Sequence, residues 1–360
     1  MAATLRDLIQ RWHGQAVISH FDTESGSWFF IAIHDTSRGP AVGGCRMKTY
    51  LSPEEALVDA MRLAEGMTYK WAGVNVPYGG GKAVIAIPGP IEGDDRRALL
   101  TRFGQLVNSL HGGFSSGVDL GTTPADFEYL STVTPYVMGL TRDRKSVDPG
   151  PYTALGVFIG LKKTVKYAFG GDDSLANRRI LIQGVGDVGR PLAALLKAEG
   201  ASLIFADIDE RIAGAAAAEF GGEVVAPGAA YYTDCDVYAP CAVGATLNSS
   251  TIPKLFCKAV AGSANNQLET PDDADRLHQR GILYAPDYII NAGGAIAFAL
   301  IHGGEEEKEK IKRSVQQIGK ALDDIFKQAA DNDETPEKTA KGYALTALTR
   351  ARETKRQSAA

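Results

Sequence analysis

The sequence predicts an α/β protein of two domains, the second organised around a doubly wound parallel sheet. Three observations predict it. The chain has 360 residues, and a single apolar core stops growing at roughly 250–300 residues. From Arg179 onward, short apolar runs alternate with helical patterns, the order expected of repeated β-α-β units. Between the halves stands Asp148-Pro149-Gly150-Pro151, where composition changes and proline and glycine interrupt any regular element. The limits read from these signals are 1–150 for the first domain and 151–325 for the second, with helices over 326–360 returning to the first.

Each element has its own local reason. Ala16–Asp22 and residues 28–34 are β-rich and flank Thr23-Glu24-Ser25-Gly26, which predicts a hairpin. Ser52-Pro53-Glu54-Glu55 opens a helix, because serine caps, proline suits the first turn and acids favour the positive end. Leu57, Met61 and Ala64 keep one face of it apolar, and Gly66-Met67-Thr68-Tyr69-Lys70 closes it. Residues 82–87 read as a short strand stopped by Pro88-Gly89-Pro90, and 94–110 as a helix ended by Gly112-Gly113. In the second half, strands are expected at 180–183, 202–206, 223–226, 237–239 and 259–261, with helices between them. The tail from Glu306 is helical in pattern and charged on one face.

Composition narrows the function. Hydrophobic content of 44% and charged content of 22% are those of a globular protein. A net charge of −5 argues against nucleic acid as a partner, since phosphate binding needs a basic surface. The basic run from Arg350 to Arg356 reads as a solvated helix end. Cys45, Cys235, Cys241 and Cys257 contain no Cys-x-x-Cys pair, so neither a metal site nor a disulfide framework is expected. The opening Met1-Ala2-Ala3-Thr4-Leu5-Arg6-Asp7 lacks the apolar run of a signal peptide, and residues 289–301 are too short to span a bilayer. No membrane association is expected, and a reducing cytoplasm is the expected compartment.

Gly184-Val185-Gly186-Asp187-Val188-Gly189 is a Gly-x-Gly-x-x-Gly that follows the strand Ile180-Leu181-Ile182 and opens a helix. That context makes it a dinucleotide fingerprint. The first glycine allows the tight turn, the second lets backbone approach a pyrophosphate, and the third lets helix pack on strand, with the helix N-terminus facing the negative charge. Asp207 lies 23 residues after Gly184, at the end of the second strand, where a carboxylate accepts hydrogen bonds from a ribose diol. It would repel a 2′-phosphate, which favours NAD over NADP; Arg211 would soften the exclusion. The second domain is therefore read as a Rossmann dinucleotide-binding domain, and the first as the α/β substrate domain.

Lys70 ends the first long helix, and Gly79-Gly80-Gly81-Lys82 follows 12 residues later. A phosphate-cradling loop fails here, because Val76 stands where glycine is needed and Ala83 replaces the magnesium-binding hydroxyl. Two lysines in one cleft repel, so one gives up its proton more readily. A neutral lysine is a general base and a charged one holds a carboxylate. Amino-acid oxidation needs both, together with a carboxyl group to move protons at the nitrogen; Asp119 in Gly117-Val118-Asp119-Leu120-Gly121-Thr122-Thr123 is the candidate. Surface lysines beside a flexible loop are the alternative at this point. The six histidines, His13, His20, His34, His111, His278 and His302, sit in no motif able to orient a catalytic base, which speaks against a hydroxy-acid dehydrogenase.

These residues resemble a family. Gly39-Pro40-Ala41-Val42-Gly43-Gly44, the Met67-to-Lys70 stretch, Gly79-Gly80-Gly81-Lys82, Asp119, Gly262-Ser263-Ala264-Asn265-Asn266 and Tyr284-Ala285-Pro286-Asp287-Tyr288-Ile289-Ile290-Asn291-Ala292-Gly293-Gly294 resemble the leucine, valine and phenylalanine dehydrogenases, branches of the glutamate dehydrogenase superfamily. The similarity runs in register from about residue 15 to residue 300. It implies NAD-dependent deamination of an L-amino acid to its 2-oxo acid and ammonia, in a closing cleft, by a homo-oligomer. It implies that Lys70 binds the substrate carboxylate with Gly43, Gly44 and Asn266, that Lys82 activates water, and that Asp119 handles the amino-group protons. Thr153 and Asn291 would lie near the nicotinamide. The stretch 142–151 departs from the family in being short and lacking its serine- and glycine-rich loop.

By the same resemblance, Val42, Met67, Gly117, Val118, Ala295 and Phe298 would line the side-chain pocket. Aliphatic-specific relatives carry leucine, alanine, glutamate and valine at Val42, Gly117, Val118 and Ala295, so the pocket here is expected to be larger and apolar. That predicts the phenylalanine dehydrogenase-like branch, with leucine or valine preference as the alternative and a catalytically silent NAD-binding sensor behind it. Glutamate is disfavoured, because the lysine and serine that grip its side chain align with Val42 and Phe298.

Overall fold

The computed structural model describes residues 5–359; Met1-Ala2-Ala3-Thr4, part of the segment read as lacking a signal peptide, lies outside them. The chain forms two compact units. One comprises Met1–Asp148, Phe298–Glu306 and Ala344–Ala360, the other Pro149–Ala297 and Glu307–Tyr343.

The first unit contains α1 (Leu5–Trp12), β1 (Ala16–Asp22), β2 (Ser27–Asp35), β3 (Ala41–Lys48), α2 (Pro53–Gly73), β4 (Gly79–Ala86), α3 (Gly93–Asn108), β5 (Phe114–Val118) and α4 (Pro124–Leu130). Its sheet has the order β1-β2-β4-β3-β5, antiparallel from β1 to β4 and parallel beyond. β2 and β4 are buried on both faces and so read as continuous apolar runs. On one face Phe29, Ile31, Ala83 and Ile85 pack with Leu99, Leu100 and Phe103 of α3 and Phe127 of α4. On the other, Phe30, Ala32 and Val84 pack with Ala56, Leu57, Ala60 and Met61 of α2. Ser52 caps α2 by accepting the Glu55 N–H at 3.2 Å, with Pro53 in the first turn, and the helix runs past Lys70 to Gly73.

The second unit contains α5 (Gly150–Phe169), β6 (Arg179–Gln183), α6 (Gly189–Ala198), β7 (Ser202–Ala206), α7 (Glu210–Phe220), β8 (Glu223–Val224), β9 (Val237–Pro240), β10 (Ala259–Val260), α8 (Asp272–Gln279), β11 (Leu283–Tyr284) and α9 (Asp287–Ile290). After α10 (Gly293–His302) come α11 (Lys308–Val315), α12 (Gln317–Asn332) and α13 (Pro336–Ala359). The sheet has the order β11-β10-β9-β6-β7-β8, and all its paired strands run parallel. The order reverses between β6 and its neighbours β7 and β9, the switch point at which such sheets bind ligands.

Two sequence expectations differ from what the chain does. The return to the first unit is made by Phe298–Glu306 and Ala344–Ala360 rather than by 326–360 as one block; Gly319 of α12 lies so close to Ile159 that a Cβ would stand 2.8 Å from its side chain, which keeps α12 in the second unit. The basic run at the C-terminus is also not a merely solvated helix end. Ala344 and Leu348 pack on Ala72 of α2, Arg352 pairs with buried Asp35 at 2.5 Å, and Lys355 donates to the Thr36 carbonyl at 2.7 Å.

Candidate active site

In the first unit the strand period assigns the candidate residues to one face of the sheet. A Cβ on Gly80 would meet Thr68 of α2, so Gly80, Lys82 and Val84 face α2. The pairing of Val42 with Gly80 and of Gly44 with Gly117 places Val42, Gly44, Arg46 and Gly117 on that face as well. Lys82 is only 4% exposed and forms an ion pair with Asp119, just past the end of β5. Gly44 makes room for this carboxylate, since a Cβ there would lie 2.8 Å from the Asp119 Cβ; one on Gly43 would lie 1.7 Å from the Gly81 carbonyl oxygen. Only glycine fits at either position.

Asp119 is held at several points. The Leu120 N–H donates to its Oδ1 at 2.6 Å, Arg46 Nε donates to the same oxygen at 3.2 Å, and its own N–H donates to Thr122 Oγ1 at 3.0 Å. Burial alone would raise its carboxyl, but the Lys82 ammonium and the Arg46 guanidinium outweigh burial and hold it at about 2. Asp119 is therefore a carboxylate in the resting protein, and it accepts a proton before it donates one. Val42 is buried, and its carbonyl accepts the Trp71 indole N–H at 3.1 Å. Met67 and Lys70 are half-buried and lie three residues apart on α2, the spacing that shares a helix face.

The expected pocket wall needs one correction. Val118 packs against the core on the α3 side of the sheet, because successive residues of a strand point to opposite faces; it does not share the face of Gly117. Gly117 instead faces Met138 and Phe298, whose atoms lie 3.9 and 4.0 Å from its Cβ position. The Phe298 ring also covers Gly139, where a Cβ would meet it at 2.8 Å. Ala295 and Phe298 lie three residues apart on α10 and are both half-buried.

In the second unit the glycine loop has the three distinct surroundings its pattern requires. Gly184 takes φ +95° and its Cβ would strike Ala242; Gly189 packs so tightly that a Cβ would lie 2.0 Å from the Gly184 carbonyl oxygen; Gly186 faces open space. Asp187 is exposed, and Val188 immediately precedes α6. Asp207, after β7, accepts the Val185 N–H at 2.8 Å on Oδ2 and the Asp209 N–H at 3.0 Å on Oδ1. It thus braces the loop and keeps a second lone pair on each oxygen for a diol. Arg211 turns back to pair with Asp209 at 2.7 Å.

Asn291 is 5% exposed, and its Nδ2 donates to the Ser263 carbonyl at 3.0 Å and to Asn265 Oδ1 at 2.7 Å. Its Oδ1 is buried without a partner, the acceptor that a carboxamide N–H would satisfy. Thr153 donates to the Pro149 carbonyl at 3.0 Å and abuts Gly294, just past Asn291. Asn266 sits in a left-handed turn with φ +52°, fixed by the neighbouring Gln267 N–H donating to Asp287 at 2.7 Å. A dinucleotide with an ionised pyrophosphate, a free ribose diol and a carboxamide fits these groups.

Sequence reasoning missed Arg46, which pairs with both Asp119 and Asp59. Period two along 41–48, read as a strand, would have placed it on the face of Val42 and Gly44.

Comparison with known proteins identifies the family. Residues 21–136 match the family model described as Glu/Leu/Phe/Val dehydrogenase, dimerisation domain, and residues 205–356 that of Glutamate/Leucine/Phenylalanine/Valine dehydrogenase. The chain is 44% identical to leucine dehydrogenase of Geobacillus stearothermophilus, over 85% of this chain and 82% of the relative. It is 45% identical to phenylalanine dehydrogenase of Lysinibacillus sphaericus, over 88% and 84%. The crystal structure of L-tryptophan dehydrogenase from Nostoc punctiforme superposes with a TM-score of 0.83 at 37% identity, covering 97% of this chain and 100% of that one. The chain belongs to the glutamate/leucine/phenylalanine/valine dehydrogenase family.

Proposed function

We propose that this amino-acid dehydrogenase oxidises a large hydrophobic L-amino acid with NAD, aromatic side chains ahead of aliphatic ones, and releases the 2-oxo acid and ammonia. The observation that carries the reaction class is the buried Lys82–Asp119 pair on a glycine-thinned strand face. Lys70, near the end of α2, holds the substrate carboxylate, helped by the backbone at Gly43 and Gly44. Asp119 enters as a carboxylate and takes a proton from the substrate ammonium, which frees the nitrogen lone pair. NAD, which the loop from Gly184 to Gly189 and Asp207 would hold, would supply the acceptor for the hydride of Cα when bound. As the Cα–H bond breaks a C=N bond forms; Lys82 in its neutral form then takes a proton from the water that adds to that carbon. Asp119 returns its proton to the nitrogen; the C–N bond then breaks as the hydroxyl oxygen forms the C=O bond, and the hydroxyl proton leaves with the departing ammonia as ammonium.

The aromatic preference rests on Phe298, whose half-buried ring lies against Gly117 and Gly139. A substrate ring would pack against it edge to face. An apolar ring gains about 25 cal/mol per Å² buried, whereas valine would leave a void. The same ring carries the second reading: it occupies volume over Gly117, which favours leucine. Measuring kcat/KM for phenylalanine, tryptophan, leucine, valine and methionine under one condition separates them. We expect the aromatic substrates to lead; a valine value tenfold above phenylalanine would overturn the preference. The match to a dimerisation domain supports a homo-oligomer, and the free thiols of Cys45, Cys235, Cys241 and Cys257 suit a reducing cytoplasm.

A further inference from the structure

The Lys82–Asp119 pair is one end of a longer alternation of charge inside the first unit. Arg46 Nε reaches Asp119 Oδ1 at 3.2 Å, and its Nη1 reaches Asp59 Oδ2 at 3.0 Å. Tyr50 donates its hydroxyl to the same Asp59 oxygen at 2.8 Å, and Arg62 Nη2 reaches Asp59 Oδ1 at 3.1 Å. The order is cation, anion, cation, anion, cation. Lys82 comes from β4, Arg46 from β3, and Asp59 and Arg62 from α2. Arg46, Asp59 and Asp119 have side chains only 15%, 13% and 18% exposed, so the middle of the chain is shielded from water.

A buried carboxylate needs a compensating cation at every stage of a reaction. In the resting protein Lys82 supplies one. Base catalysis requires Lys82 to have lost its proton before the water step, and until Asp119 has taken the substrate's ammonium proton its carboxylate would then stand without Lys82 and would draw that proton to itself. Arg46 cannot lose its charge in a protein, and it contacts the carboxylate through the oxygen that Lys82 does not use. Asp59 fixes Arg46 from behind, and Tyr50 and Arg62 fix Asp59.

We propose that Arg46 is the positioning residue of the catalytic pair, holding Asp119 aimed at Lys82 and neutralising it whenever Lys82 gives up its proton, with Asp59 as its anchor. This rests on the reading of Lys82 and Asp119 as the proton-handling groups. The ionisable groups joined to Asp119, directly or through a neighbour, are Lys82 from β4, Arg46 and the buried Cys45 thiol from β3, Asp59 with its partner Arg62 from α2, Tyr50 from the loop between β3 and α2, and Asp126 with its partner Arg96 from α4 and α3. Removing one cation from this set favours the protonated form of each member of the pair; removing one anion does the reverse.

The test is the pH profile of kcat/KM for oxidative deamination in the full-length protein, for Arg46→Gln, Arg46→Lys, Asp59→Asn and Lys82→Ala, with NADH binding followed by fluorescence. In Arg46→Gln we expect kcat to fall about 10–100-fold and the acidic limb to move up by about one pH unit, with NADH affinity unchanged. Arg46→Lys keeps the charge without the fork, so the limb should stay in place while kcat falls. Asp59→Asn should move the limb down, which tests the relay even where the glutamine variant fails to fold. A purely structural role would lower the profile without displacing its limbs, and unmoved limbs in both Arg46→Gln and Asp59→Asn overturn the proposal. Wild-type turnover in Lys82→Ala would instead remove the underlying reading; an inactive Lys82→Ala beside an Arg46→Gln of wild-type rate and profile would remove only the role of Arg46.

Discussion

The two units build their candidate sites by opposite means. In the first, the chemistry sits on ionised side chains, and the backbone is thinned to glycine at Gly43 and Gly44 so that Lys82 and Asp119 can meet. In the second, the backbone of the loop from Gly184 to Gly189 is itself the candidate binding surface, with the Asp207 carboxylate bracing it from below. The first arrangement concentrates buried charge and lets one group set the state of another. The second spreads its interaction over N–H groups that carry no titratable proton. The two halves are fragile in opposite ways: one to loss of a side chain, the other to gain of a methyl group.

The largest expected effect follows for Lys82→Ala. Oxidative turnover should fall about 10²–10⁴-fold, the usual worth of general-base assistance, while NADH affinity in a fluorescence titration stays near wild type. Wild-type turnover, or a parallel loss of NADH binding, would break the division of labour between the units.

A sharper cut comes from adding one methyl group inside the loop at two places. Gly189→Ala puts a Cβ 2.0 Å from the Gly184 carbonyl oxygen, so backbone must shift. Overpacking of this kind costs about 1–3 kcal/mol, and both the melting temperature and NADH affinity should drop. Gly186→Ala meets nothing within 4 Å, so the melting temperature should hold while NADH affinity falls. Equal effects at the two positions would mean that the loop is a structural turn rather than a cradle.

The second unit was the more legible half in sequence, because its signals are local. A strand, a glycine pattern and a helix follow one another within a few residues, and Asp207 stands at the end of the next strand. The first unit hid more. β3 contains Gly43 and Gly44, and glycine is depleted in strands; it is a strand because β4 and β5 pair with it on either side. α5 was masked by Pro149-Gly150-Pro151, which marks a boundary and also opens a helix in its first turn. Lys82 and Asp119 were accessible through motif resemblance, but Arg46 was not. Period two along β3 gives its face, but its partners follow only from the sheet order that brings β3 between β4 and β5.

The smallest effect concerns how the first unit is closed. Asp35 ends β2 at 2% exposure and accepts the Ser37 N–H at 2.7 Å and Arg352 Nη2 of the returning helix at 2.5 Å. Burial alone would raise its carboxyl, but the hydrogen bonds from Ser37 and Arg352 outweigh burial and hold it below the ordinary carboxylate value. A carboxyl depressed in the folded state contributes stability above its unfolded value, near 3.9, and loses it as pH falls through the folded one. The Arg352 side chain is 58% exposed, so solvent screens much of the pair, and Arg352→Ala should cost about 1 kcal/mol at pH 7. That is a shift of roughly 2–4 °C for a unit of this size. The gap between variant and wild type should be full at neutral pH, begin to narrow below about pH 4, and close as pH falls through the lowered Asp35 value. A gap that persists unchanged at pH 3 would mean that the packing of Ala344 and Leu348 on Ala72 was disturbed instead. No gap at pH 7 would return the basic run to a solvated helix end.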